Sequence, residues 1–109
     1  MLPDYIIIGA QRCGTTSLYE YLTAHPAVRA AFRKEVHFFS NHYDQGLNWY
    51  RAHFPMGEHS ADGPREWIAG EASPYYMFHP LAARRVWQTL PEVKLIALLR
   101  NPVDRAYSH

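Results

Sequence analysis

Gly9 and Gly14 bracket four residues, Ala10, Gln11, Arg12 and Cys13, and the hydroxyl side chains of Thr15, Thr16 and Ser17 follow directly. A glycine-bracketed loop of this spacing can bring several backbone N–H groups to one point. When a helix starts at the second glycine, its dipole adds positive potential there. The chemistry is anion binding, of a phosphate above all. A nucleotide-triphosphate loop carries Lys after its second glycine; here that position is Thr15, and the cation comes earlier, at Arg12. The cradle is present without the side chain that reaches a triphosphate's terminal phosphates. The plainer reading of the three hydroxyl residues is ordinary helix capping.

A second group lies near the other end. An apolar run at 94–99 ends at Arg100, and Asn101 and Pro102 make a turn before a helical pattern. In open α/β sheets ligands bind outside the carboxyl ends of the strands, and Arg can hold a phosphate bidentately. A structural Arg at a strand end accounts for the position equally well. A third group is Lys34 and Glu35, beside the apolar Val36, Phe38 and Phe39. Such charges more often form the solvated rim of a strand; the sharper reading is an ion pair or a base facing the cradle. The seven histidines are scattered, without a ligand spacing such as His-Glu-x-x-His, and no metal is expected.

The elements that must position these groups alternate. Tyr5 to Gly9 reads as a buried parallel strand, and a helix is expected from Thr15 to about His25, with Leu18, Tyr21 and Leu22 on one face and Pro26 at its end. Val36 to Phe39 reads as a short strand or extended turn. Residues 43–54 read as an amphipathic helix with Leu47, Tyr50 and Phe54 in its apolar stripe, and 56–66 as loop. A short strand is expected over 67–72, then a turn at 73–76. A helix should start at His79 and Pro80, with Leu81, Val86, Trp87 and Leu90 inward and Arg84 and Arg85 solvated. Residues 94–99 form the second strongly buried strand. Alternating strands and helices argue for a parallel sheet with crossover helices.

Composition sets bounds. The 109 residues are 48% hydrophobic and 19% charged with a net charge of +1, enough for one small domain and no basic face for nucleic acid or membrane. The single Cys13 excludes an internal disulfide. With no basic leader or membrane-length apolar run at the N-terminus, a reducing, cytoplasmic setting is expected. Residues 106–109 read as the start of a helix, so the expectation is a fragment of a longer domain.

Two anion-ready junctions suit a ligand with two separate phosphate groups, and the chain resembles the sulfotransferase family that uses 3′-phosphoadenosine 5′-phosphosulfate (PAPS). Ile8-Gly9-Ala10-Gln11-Arg12-Cys13-Gly14-Thr15-Thr16-Ser17 is similar to that family's 5′-phosphosulfate loop. Leu98-Leu99-Arg100-Asn101-Pro102-Val103-Asp104-Arg105-Ala106-Tyr107-Ser108 is similar to its 3′-phosphate segment. Lys34-Glu35-Val36-His37-Phe38-Phe39 and Gly70-Glu71-Ala72-Ser73-Pro74-Tyr75-Tyr76 resemble segments of the heparan sulfate and bacterial branch.

The resemblance implies an α/β P-loop-containing nucleotide-binding fold, a parallel β-sheet flanked by helices, of which residues 1–109 are the truncated N-terminal part of a single sulfotransferase domain. It implies PAPS as sulfuryl donor, no metal, and a hydroxyl or amine acceptor, carbohydrate by branch. Glu35 matches the branch's general base, with His37 a weaker alternative, and Arg12 replaces the usual loop Lys. The implied donor-binding residues are Gln11, Arg12, Cys13, Gly14, Thr15, Thr16 and Ser17, with Arg100 and Ser108 on the 3′-phosphate. Some members carry a second Lys where this chain has Ala72. The competing readings are a P-loop nucleotide kinase and an inactive binding fragment.

Overall fold

The computed structural model describes residues 2–11, 13–33, 35–55, 59–60, 63–64 and 67–99. Its centre is strand β1, Tyr5–Gly9. The β-branched residues Ile6 and Ile7 are fully buried and point to opposite faces, because side chains alternate along a strand. Helix α1, Thr15–Thr23, follows, then β2, Val28–Ala30, and a segment without regular structure. Helix α2 is Leu47–Arg51. A small antiparallel pair, β3 (His59–Ser60) and β4 (Gly63–Pro64), lies in the stretch expected as loop. Strand β5 is Ile68–Ala72, helix α3 is Ala82–Thr89 and strand β6 is Lys94–Ala97.

The main sheet has the order β2-β5-β1-β6, and every pair is parallel. Tyr5 stands opposite Gly70 on one side and Lys94 on the other. Parallel neighbours need crossover connections, which the helices supply on both faces. On one face α1 covers the sheet with Tyr19, Leu18 and Leu22 against Tyr5, Ile7 and Ala72. On the other lies the larger core, where Ile6 meets Val36, Phe38, Phe39, Tyr50, Phe54, Tyr76, Val86 and Leu90. Phe38 stacks on Tyr50 at 4.4 Å between ring centres. Burial of each large ring in this cluster contributes about 2–3 kcal/mol, so aromatic packing holds the irregular segment after β2 to the sheet.

Several expectations shift. The strand near the third charged group is Val28–Ala30, not 36–39; Val36, Phe38 and Phe39 are buried but irregular, and the amides of His37 and Phe39 donate to the side chains of Ser73 and Tyr76. The expected helix over 43–54 breaks at Gly46, whose φ of 89° is outside the helical range, leaving a 3₁₀ turn at Tyr43–Gln45 ahead of α2. On α1, Tyr21 faces solvent and Tyr19 is inward, its hydroxyl bonded to Gly70 O and Ala31 N. Helix α3 begins at Ala82, beyond Pro80, and leaves Leu81 and Trp87 exposed. Arg85 is half-buried: its guanidinium donates to the carbonyls of Phe39 and Ser40 and lies over the Tyr43 ring. Strand β6 pairs only with β1 among the described residues, borders the described sheet and is mostly exposed there.

Candidate functional site

The site is built at the carboxyl end of β1. Gly9 ends the strand where a Cβ would lie 2.7 Å from Met77 Cβ, so the 3₁₀ turn Pro74–Met77 passes directly over it. Gly9 O accepts from Leu98 N, and Ala10 N donates to Leu98 O. The end of β6 is thereby fastened to the first residues of the loop. Cys13 N closes a turn onto Ala10 O at 3.2 Å. Gly14 then takes the left-handed conformation, φ 89°, and caps α1 with no side-chain bond. The first-turn amides of a helix have no intrahelical acceptors. A glycine cap provides none either, so capping by the N-cap side chain is ruled out.

Of the loop residues, Gln11, Gly14, Thr16 and Ser17 are exposed, while Cys13 and Thr15 are buried. Thr15 and Thr16 line a cleft of about 270 Å³ together with Tyr19, Glu35, Ala72 and Pro74. The fold thus brings Thr15, Thr16 and Glu35 to the wall of one cavity. Arg12, Lys34, Arg100 and Ser108 lie outside the described residues.

Glu35 is partly exposed and pairs with His37: Nε2 lies 3.0 Å from Oε2. A carboxylate oxygen accepts, which assigns the ring proton to Nε2. Nδ1 is buried with no hydrogen-bond partner among the described residues. The ring in this arrangement is a donor to Glu35, and the free carboxylate lone pairs belong to Glu35. His37 itself has φ 55°, unusual for a residue with a Cβ. Its N–H donates to Ser73 Oγ at 3.1 Å.

Behind this pair is a group the sequence reading left without a role. Glu71, on β5, is wholly buried. Three hydroxyls donate to it: Ser73 at 2.5 Å, Tyr76 at 3.1 and 3.3 Å, and Tyr50. Burial pushes the Glu71 carboxyl above its ordinary range, and the three hydroxyls pull the other way. Burial and the nearby Glu71 charge push the Tyr50 and Tyr76 phenols up. The signal was a Glu inside the otherwise apolar strand segment Ile68–Ala72, since a buried carboxylate requires partners. Among the described residues no group of three or more His, Cys, Asp or Glu is arranged to hold a metal, and no helix is long and apolar enough to cross a membrane.

A parallel sheet whose first strand runs through a glycine-bracketed loop into a glycine-capped helix defines an α/β protein of the P-loop type. The sulfotransferase-domain family model matches residues 2–109. The chain is 40% identical over 107 residues to a membrane-associated sulfotransferase, kil1, of Dictyostelium discoideum, covering 98% of this chain and 22% of that protein. It is 42% identical over 106 residues to human heparan sulfate glucosamine 3-O-sulfotransferase 6, covering 97% of this chain and 29% of the relative. The crystal structure of a sulfotransferase from Alicyclobacillus acidocaldarius superposes with a TM-score of 0.72 at 38% identity, over 99% of this chain and 48% of that one. The chain belongs to the sulfotransferase family. It spans less than a third of the length of these two curated relatives.

Proposed function

We propose that this protein transfers a sulfuryl group from PAPS to a hydroxyl or amine of a carbohydrate acceptor. The observation that carries the reading is the shared cleft, which Glu35 lines together with Thr15 and Thr16 of the first turn of α1. In this reading the amides and hydroxyls of Gln11, Cys13, Gly14, Thr15, Thr16 and Ser17 bind the 5′-phosphosulfate, aided by the helix dipole. Arg12 adds a fixed positive charge, and Arg100 and Ser108 bind the 3′-phosphate.

Glu35 takes the proton from the acceptor as its oxygen or nitrogen attacks sulfur in line. The bond from sulfur to the bridging phosphate oxygen breaks, and 3′-phosphoadenosine 5′-phosphate leaves. Arg12 and the loop amides stabilise the charge gathering on that oxygen. Arg12 stays protonated near neutral pH, so it contributes charge and not a proton. The heparan sulfate 3-O-sulfotransferase relative supports a carbohydrate acceptor.

Glu35→Gln tests the base. With PAPS and de-N-sulfated heparan sulfate as acceptor, kcat should fall about 10²–10⁴-fold. Affinity for 3′-phosphoadenosine 5′-phosphate should stay within a few fold of wild type. Retained kcat would remove Glu35 from the role.

A further inference from the structure

We infer that Glu71 and Ser73 are positioning residues that set the direction of the Glu35 carboxyl through the backbone of His37. The inference rests on the reading of Glu35 as base and concerns what aims it. The segment carrying Glu35 has no strand partner among the described residues. The N–H groups of His37 and Phe39 instead donate to Ser73 Oγ and Tyr76 Oη. Both of those hydroxyls donate their own protons to one carboxylate, Glu71. A hydroxyl has a single proton, and the acceptor it meets sets where that proton points. Once that proton is committed to Glu71, its lone pairs must face elsewhere, and here they face the two amides.

The carboxylate therefore reads out through two hydroxyls onto two points of the loop. One of them is His37, held at φ 55°, a conformation that costs about 1 kcal/mol for a residue with a Cβ. The His37 ring then donates to Glu35. From the opposite side Arg85 fastens the carbonyls of Phe39 and Ser40. The route Glu71 to Ser73 to His37 to Glu35 is continuous, and each step is a hydrogen bond. Burying a carboxylate in an aromatic core costs several kcal/mol unless its bonds are complete. An apolar residue would fill the same volume, but it could not orient the two hydroxyls.

The test uses Ser73→Ala, which removes the step to His37 and leaves Tyr50 and Tyr76 on Glu71. In ring ¹⁵N spectra the wild type should show His37 with its proton on Nε2, and Glu35→Gln should shift those signals. In Ser73→Ala the ring should average between tautomers, the Glu35→Gln shift should vanish, and the His37 amide should exchange at least tenfold faster. Amides in β1 should exchange as before. Turnover should fall about tenfold with affinity for 3′-phosphoadenosine 5′-phosphate within twofold, and Ser73→Thr, which keeps the hydroxyl, should recover most of it. On a Glu35→Gln background Ser73→Ala should cost nothing further. Tyr76→Phe, which frees only the Phe39 amide, provides a second variant and should accelerate exchange there. A folded Ser73→Ala protein with an unchanged His37 tautomer and amide would overturn the inference. So would a turnover loss that adds in full to that of Glu35→Gln. An active Glu35→Gln enzyme would instead overturn the base, while the His37 spectra still report on the positioning.

Discussion

The Glu35–His37 pair brings two neighbouring titratable residues to 3.0 Å from each other. Beside a Glu35 carboxylate the imidazole is the donor, and its other nitrogen is buried and unpartnered among the described residues. On the proposed reading of Glu35 as base, His37→Asn should lower kcat less than Glu35→Gln does, since it removes only an orienting bond; steady-state kinetics of the two variants give the ranking. A different residue carries an unmade bond. Tyr5 Oη is buried without a hydrogen-bond partner among the described residues, and burial pushes its phenol upward. An unsatisfied buried hydroxyl costs on the order of 1–3 kcal/mol. Tyr5→Phe keeps the ring that packs over Gly70 and should raise stability by about 1 kcal/mol in urea unfolding.

At the scale of elements, the segment between β2 and α2 depends on neighbours it does not pair with as a strand. Arg85 of α3 is one of them, because its guanidinium holds two carbonyls of that segment. Arg85→Met keeps the apolar stem but removes charged hydrogen bonds worth about 1.5–3 kcal/mol each. Unfolding should show a loss of at least 1 kcal/mol, with faster amide exchange around 38–40. The same segment marks the limit of what the sequence discloses. Strand β1, the loop after it and the start of α1 are legible because their signals are local: a β-branched run, two glycines at fixed spacing, then helical periodicity. The extent of β5 is equally plain.

Other features depend on distant partners. The apolar residues of 36–39 read as a strand because burial alone was visible, whereas their amides bond to Ser73 and Tyr76, more than thirty residues away. Tyr19 was missed for the same reason, since its hydroxyl joins α1 to Gly70 and Ala31. Arg85 looked solvated because its acceptors lie on a segment 45 and 46 residues earlier. The expectation for β6 failed differently. An apolar run signals a strand, and its place at the border of the described sheet is set by topology.

At the scale of the whole molecule, a carboxylate sealed in the larger core links stability to pH. Burial raises the Glu71 carboxyl above its ordinary 4.5. Below that value the group is protonated in both states. As pH rises above it, the unfolded chain ionises first and is favoured, so this contribution to stability is lost up to the folded-state value. Glu71→Gln does not titrate. Across a pH series of thermal melts starting below 4.5, the difference in Tm should drift in favour of the variant as pH rises. A constant difference would mean that the hydroxyl donors fully offset the burial.

The central claim, a donor site for two separate phosphate groups without a triphosphate loop, is open to one direct measurement: calorimetric binding of 3′-phosphoadenosine 5′-phosphate without magnesium, set against ATP with magnesium. The first should bind and the second should not, and Arg100→Ala should weaken that binding at least tenfold. Binding of the magnesium–ATP complex alone would contradict a two-phosphate donor site.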